Sequence, residues 1–282
     1  MPAKLLTGKE VSDAMLAALK PKVKELDPKL VVVQVGDDPA SDSYIRQKLK
    51  SCDTVGMRHE HKHLSVATSK EELFALIKEL NSDPDVTGFI VQLPLPKHLQ
   101  EYVPDVIRSI DPRKDVDGFG PVNIGETFLG EGFSSLPPAT PSGVMAMLDF
   151  YEIDVAGKHA VVVGRSNIVG KPLAIMLLNR GATVSIAHRG TKDLATLTRQ
   201  ADILCTAVGK ANLITKDMVK PGAVVIDIGV TRTEAGLRGD VDFEGVKDVV
   251  SAITPVPKGV GPMTVASLIR NCVLAKERQM NK

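Results

Sequence analysis

Short valine-rich runs, each closed by a glycine and followed by residues at helical spacing, constrain this chain more than any other feature. Leu30-Val-Val-Val-Gln-Val-Gly36 is one such run and Lys158-His-Ala-Val-Val-Val-Gly164 is another. β-Branched side chains crowd the turns of a helix but fit a pleated strand buried on both faces, and a glycine can turn sharply at its end. Around these runs the chain alternates. Val11, Met15, Leu19, Val23 and Leu26 recur at helical spacing, with Pro21 expected to bend or interrupt them. After the first strand, a helix is predicted over 41–50, another over 70–81, a strand over 86–92 and a helix over 102–109. Residues 111–141, dense in Gly, Pro and Asp and without a sustained period, read as a long functional loop and inter-domain crossing. A connecting helix over 142–151 then leads to strands at 158–164, 183–188, 202–207, 223–229 and 249–253. A last helix over 264–278 is expected to pack back on the first domain. Such alternation predicts an α/β fold with parallel sheets.

The chain has 282 residues, which favours two α/β domains or one large one, and its 43% hydrophobic and 24% charged content suits a folded globular protein. Lys plus Arg number 35 against 34 Asp plus Glu, so there is no global field to recruit nucleic acid or an acidic membrane. Cys52, Cys205 and Cys272 are scattered and lack metal-ligand spacing, and are expected to be buried small hydrophobes. Without an apolar signal segment or a run long enough to span a bilayer, the default compartment is the cytoplasm.

Gly164-Arg-Ser-Asn-Ile-Val-Gly170 follows a strand and opens a helix with Pro172 in its first turn. Unpaired amides at a helix start attract a pyrophosphate and glycines let it approach, although Ser166 replaces the second glycine of the usual dinucleotide pattern and Gly170 comes one residue late. A tight turn that binds nothing is the competing reading. Where an acidic residue would accept from the ribose of NAD, the next strand ends in His188-Arg189-Gly-Thr191. With Arg165 in the first turn, these cations suit a 2′-phosphate and favour NADP; Arg189 as a solvated surface residue is the alternative.

Tyr44 and Lys48 stand four residues apart, with Ser41 three residues before Tyr44, so one helix face carries all three. A Tyr-x-x-x-Lys pair invites a short-chain dehydrogenase reading, but that family carries the pair after its glycine turn and here it comes first. Gln92 lies at the carboxyl end of a strand, where parallel sheets bind ligands. Lys114-Asp-Val-Asp117-Gly sets two carboxylates in a loop whose spacing demands no metal.

Together these segments resemble the bifunctional methylenetetrahydrofolate dehydrogenase/methenyltetrahydrofolate cyclohydrolase family. The resemblance runs through Val35 to Ser41, Tyr44-x-x-x-Lys48, Val91-Gln-Leu-Pro-Leu-Pro96, Lys114 to Phe119, Gly164 to Pro172, and Thr254 to Thr264. It implies two α/β domains with an active-site cleft between them, the second Rossmann-like, in a homodimer. Residues 1–140 with the terminal helix 264–282 would form the folate-binding catalytic domain and residues 141–263 the NADP-binding domain.

The implied chemistry is oxidation of 5,10-methylenetetrahydrofolate with NADP and hydrolysis of the methenyl product to 10-formyltetrahydrofolate, in one-carbon metabolism that feeds purine biosynthesis. By residue match Lys48 is the catalytic lysine, Gln92 its hydrogen-bond partner, Tyr44 the ring stacking on the folate and Asp117 the carboxylate gripping the pterin, with Ser41 and Pro262 lining the same cleft. The cofactor set is Gly164, Arg165, Ser166, Ile168, Val169, Gly170, His188, Arg189, Thr191 and Val230. Three positions depart from the family pattern: Ala139 stands where cysteine is usual, Gly120 where a polar residue is common, and Lys258 where glycine is usual. Whether Lys48 acts as a base or mainly positions substrate is open at this level, as are a dehydrogenase without useful hydrolysis and a catalytically silent dinucleotide sensor.

Overall fold

The computed structural model describes residues 3–130, 136–234 and 236–281. The elements follow in order as β1 (Lys4–Leu5), α1 (Gly8–Leu26), β2 (Lys29–Val35), α2 (Pro39–Val55), β3 (Arg58–Leu64), α3 (Lys70–Ser82) and β4 (Gly88–Val91). Then come α4 (Val103–Ser109), α5 (Pro121–Leu129), α6 (Ala139–Phe150), β5 (His159–Val163), α7 (Gly170–Asn179), β6 (Thr183–Ala187), α8 (Leu194–Thr198) and β7 (Ile203–Thr206). The chain closes with β8 (Val224–Asp227), β9 (Thr231–Thr233), β10 (Gly236–Arg238), α9 (Phe243–Val246), β11 (Ala252–Ile253) and α10 (Val260–Met280).

Two compact units divide the chain. One contains Ala14–Glu126, Gly132–Ala139 and Val265–Lys282. Its described strands form a parallel sheet in the order β3-β2-β4. The valine run works as its composition predicts. Leu30 and Val32 pack with Ile45, Cys52 and Val55 of α2 and Leu268, Ile269 and Cys272 of α10. Val31, Val33 and Val35 face the other way, toward Leu73, Ile77 and Leu80 of α3 and Val106 of α4. Helices therefore cover both faces, and truncating a fully buried residue such as Leu30 to alanine costs about 2–5 kcal/mol through the cavity left behind.

The second unit contains Met1–Asp13, Thr127–Glu131 and Thr140–Thr264. Its parallel sheet runs β1-β11-β8-β7-β5-β6, with a small antiparallel pair β9-β10 beside it. β5 lies between β6 and β7, so the chain leaves β5 for one neighbour and later returns to the other. That reversal opens a crevice outside the strands' carboxyl ends, the position at which doubly wound sheets bind nucleotides. Residues 1–13, grouped with 14–140 by sequence, fall in this unit because Lys4 and Leu5 pair with Ala252 and Ile253.

Several expectations change. Residues 111–141 are not one long loop: α5 occupies Pro121–Leu129 and α6 already starts at Ala139, while residues 131–135 lie outside those described. Pro121 and Pro141 fall in first turns, where a helix needs no donor, and buried Asn123 ties α5 to the Pro112 carbonyl at 3.0 Å. β3 has no counterpart among the expected strands because Arg-His-Glu-His-Lys-His-Leu64 is polar on both faces; it is an edge strand held by pairing with β2 along its whole length. α1 continues through Pro21, with Leu16 and Val23 anchored in the core on either side. The three cysteines are free thiols buried in the two cores.

Candidate active site

In the first unit, α2 presents the Tyr44 and Lys48 face. Asp38 caps the helix by accepting from the Ser41 amide at 2.8 Å, Pro39 occupies its first turn, and Gly56 ends it in a left-handed conformation at φ 75°. The Ser41 hydroxyl also donates to Asp38, at 2.8 Å. From β2, the buried Gln34 donates to Asp42 at 2.7 Å and accepts from His61 at 2.9 Å, which joins the first turn of α2 to the sheet. The shared face is split by burial: Ser41 and Lys48 are buried, whereas Tyr44 is 41% exposed and its ring is open to a ligand.

Gln92 continues the β4 ladder, its amide donating to the Val33 carbonyl at 2.8 Å. Its side-chain Nε2 donates to the Leu93 carbonyl at 2.8 Å, which turns Oε1 toward α2. Lys48 Nζ donates to that oxygen at 3.0 Å. Burial pushes the Lys48 pKa below its usual value, with the Asp117 charge opposing the shift. Asp117 moves the other way: burial pushes its carboxyl up, Lys48 pulls it down and Asp115 adds to the rise. Both shifts run toward the neutral forms, each opposed by the other group's charge.

Asp115 and Asn123 were not among the expected site residues. Asp115, 2% exposed, accepts from the amides of Gly118 at 3.1 Å, Phe119 at 3.3 Å and Gly120 at 2.8 Å, and from Asn123 Nδ2 at 2.9 Å. It thereby shapes the turn that carries Asp117. A Cβ at Gly120 would stand 2.8 Å from the Asp115 carboxylate, so glycine lets that carboxylate approach the turn closely in this chain. The available sequence signal was a second aspartate two residues before Asp117 in a glycine-bearing segment.

In the second unit the Gly164 turn sits at the carboxyl end of β5. A Cβ on Gly164, at φ 136°, would meet the Ala207 carbonyl oxygen at 2.5 Å, and one on Gly170 would meet the Gly164 carbonyl oxygen at 2.1 Å. Only glycine permits this close cradle. Ser166, standing in the place of a glycine, accepts from the Val169 and Gly170 amides at 3.1 and 3.2 Å and so caps the start of α7. Arg165, Ser166 and Ile168 are exposed and Val169 is half-buried. At the end of β6 the Thr191 hydroxyl accepts from the His188 amide at 2.9 Å, and His188 Nδ1 accepts from the Gly190 amide at 3.0 Å. His188 and Thr191 build that turn, which leaves Arg189 exposed at its tip. Val230, 41% exposed, follows the end of β8. Pro262 belongs to this unit, in the first turn of α10, and is half-buried. The fit to a dinucleotide is thus a cradle that a Cβ would fill, at a helix start, with two cations exposed nearby.

Residues 6–117 match the catalytic domain of the tetrahydrofolate dehydrogenase/cyclohydrolase family, and residues 138–280 match its NAD(P)-binding domain. The bifunctional protein FolD of Geobacillus thermodenitrificans is 52% identical over 281 residues, covering 98% of each chain. Among solved structures, the bifunctional FolD enzyme of Campylobacter jejuni superposes with a TM-score of 0.94 at 47% identity, over 98% of this chain and 99% of that one. A Trypanosoma brucei methylenetetrahydrofolate dehydrogenase-cyclohydrolase, complexed with NADP cofactor and inhibitor, gives a TM-score of 0.94 at 33% identity over 100% of both chains.

Proposed function

Because the chain belongs to the tetrahydrofolate dehydrogenase/cyclohydrolase family, we propose that it oxidises 5,10-methylenetetrahydrofolate to the methenyl cation with NADP and hydrolyses that cation to 10-formyltetrahydrofolate. Residues 1–140 with 264–282, apart from the stretches 1–13 and 127–131 that join the second unit, are assigned to folate and catalysis, and residues 141–263 to NADP. The observation that carries the hydrolytic half is the buried Lys48 amine held at 3.0 Å by Gln92.

When bound, NADP supplies the hydride acceptor. The Gly164 and Gly170 backbone, Ser166, Ile168, Val169 and Val230 would hold it, with Arg165, Arg189, His188 and Thr191 around a 2′-phosphate. On the folate side, Tyr44 offers an open aromatic face, Asp117 carboxyl oxygens that accept from the pterin, and Ser41 and Pro262 complete the substrate set. Desolvation raises the neutral fraction of Lys48 at a given pH, and the Gln92 oxygen holds one of its N–H bonds, which orients the amine. As water adds to the methenyl carbon, Lys48 takes a proton from it. The C–N5 bond then opens, its electron pair goes to N5, and the Lys48 ammonium returns a proton there. The hydroxyl proton leaves as the formyl C=O forms, so one proton is released overall.

A coupled assay tests the reading: methylenetetrahydrofolate with each nicotinamide cofactor, followed by the absorbance of methenyltetrahydrofolate. NADP reduction and methenyl decay above the uncatalysed rate are expected; failure of both would overturn it. Among the described residues no helix is long and apolar enough to cross a membrane. A cytoplasmic homodimer working in purine biosynthesis completes the proposal, and a single-chain mass by light scattering at assay concentration would remove the dimer.

A further inference from the structure

Two buried carboxylates at the carboxyl end of the second unit's sheet have no role in the chemistry above. Asp240 is fully buried, and its two oxygens accept from the Val208 and Lys210 amides, both at 2.7 Å. Those amides belong to the loop that leaves β7, thirty-odd residues away in sequence. Asp240 is itself placed by Asp227, the last residue of β8 and 3% exposed. Asp227 Oδ1 accepts from the Asp240 amide at 3.0 Å, the Gly229 amide at 3.2 Å and the Thr206 hydroxyl at 3.1 Å, while Oδ2 accepts from the Val241 amide at 2.9 Å. Thr254 fastens Asp227 from β11's end, its hydroxyl accepting from the Asp227 amide at 2.7 Å.

The loop thus held is a wall of the cofactor crevice. Ala207 continues the ladder by donating to the Val163 carbonyl at 2.8 Å, and its own carbonyl oxygen is the atom that a Cβ on Gly164 would strike at 2.5 Å. The Gly164 turn and the Ala207 to Lys210 loop are therefore in van der Waals contact, flanking the point where the strand order reverses. Asp227 controls the second loop as well, because it fixes the Gly229 amide next to Val230. The chain is carved to admit this arrangement: a Cβ on Gly229 would come within 2.1 Å of the Asp240 carboxylate, and one on Gly239 within 1.9 Å of the Asp227 carboxylate. Burying two carboxylates is unfavourable, and burial pushes the Asp227 pKa up to about 6 and raises that of Asp240 too. An apolar pair would suit the core better. What the carboxylates add is a set geometry for amides at the crevice.

We propose that Asp240, aligned by Asp227, is a positioning residue for the NADP cofactor, setting the crevice wall at Ala207 to Lys210 against the Gly164 turn. This rests on the reading that NADP binds in that crevice.

The test is Asp240→Asn. One oxygen still accepts, but an NH₂ now faces the second amide. NADP binding, measured directly by titration calorimetry with NADP alone, should weaken roughly tenfold to a hundredfold, the effect of losing a charge-assisted bond and setting an NH₂ against an amide N–H. The KM for NADP should rise in parallel with a smaller change in kcat. Methenyl hydrolysis, which draws on Lys48 and Gln92 in the other unit, should stay within about twofold and serves as the control for folding. An unchanged NADP Kd overturns the proposal, and so does a parallel loss of both activities together with melting temperature, which would make Asp240 a general structural residue. Should Asp240→Asn not fold, Asp227→Asn carries the test, with the same direction required in Kd and the same control. Wild-type protein that binds no NADP at all would instead defeat the cofactor reading itself.

Discussion

Replacing Lys48 by methionine keeps the length and apolar bulk of the side chain and removes its only proton-exchanging group. Positioned acids and bases contribute about 10²–10⁴ in rate, so methenyl hydrolysis above background should fall by that factor. NADP reduction should fall less, since hydride passes directly from substrate to nicotinamide. Stability should change little. The variant leaves Gln92 Oε1 without its donor at 3.0 Å, a loss of about 1–3 kcal/mol if the oxygen stays dry. It also removes an amine that burial disfavours in its charged form. The sign follows from linkage. Folded Lys48 titrates below 10.5, so between that lowered value and 10.5 the unfolded chain binds more protons and wild-type stability rises with pH. Lys48→Met should lose that part of the slope and should be relatively more stable below the window. Wild-type hydrolysis should climb as pH rises through the same lowered value. Both reactions would be followed on one folded preparation, with uncatalysed hydrolysis subtracted. Substantial hydrolysis by the variant would refute the proton-carrying role, and equal collapse of both rates with weakened folate binding would make Lys48 a positioning residue.

Arg189→Ala should raise the KM for NADP roughly tenfold and leave kcat nearly unchanged, because the partner proposed for its guanidinium is a phosphate remote from the reacting carbon; an unchanged KM acquits it. Lys258 adopts φ 82°, a left-handed conformation that costs a side-chain-bearing residue about 1–2 kcal/mol, so Lys258→Gly should stabilise by up to about 1 kcal/mol in denaturant titrations after glycine's own entropy is counted. A less stable glycine variant would contradict this. Asp115→Asn removes the charge that three amides share and should reduce kcat/KM for the folate substrate roughly tenfold or more, with NADP affinity unaltered as the check that the second unit is intact.

The legible part of this protein is the part whose partners follow a period or a motif. The valine runs declare buried parallel strands, and Lys48, Gln92 and the Gly164 turn stand where strand ends and helix spacing place them. What escapes is held by tertiary pairing. β3 is polar on both faces and forms only because β2 offers it a complete ladder. α5 has a glycine at its centre and a proline at its start, and Asn123 fastens it through contacts that nothing local announces. The family's usual glycine at position 258 also gains a reason only from the backbone, in the positive φ of Lys258.

The least legible residues, Asp115, Asp227 and Asp240, share one device. Each is a buried carboxylate that desolvation pushes up in pKa and hydrogen bonds pull back down, from the Asn123 side chain and three amides at Asp115 and chiefly from backbone amides at Asp227 and Asp240. Burying such a group costs several kcal/mol, and each charge-assisted amide bond returns about 1.5–3 kcal/mol, so three or so bonds bring the balance near zero. Stability is then not what the arrangement supplies. A carboxylate that accepts from successive amides dictates where those amides lie, and in each case they belong to a turn beside a proposed ligand: the Asp117 turn, the loop after β7 and the loop after β8. The sequence trace of this device is faint because its partners are main-chain groups that every residue possesses. What remains visible is a glycine at close range to each carboxylate, Gly120 beside Asp115, Gly239 beside Asp227 and Gly229 beside Asp240. An aspartate near a glycine in such a chain therefore has two readings, a solvated turn or a buried clamp, and only the absence of room for a Cβ separates them.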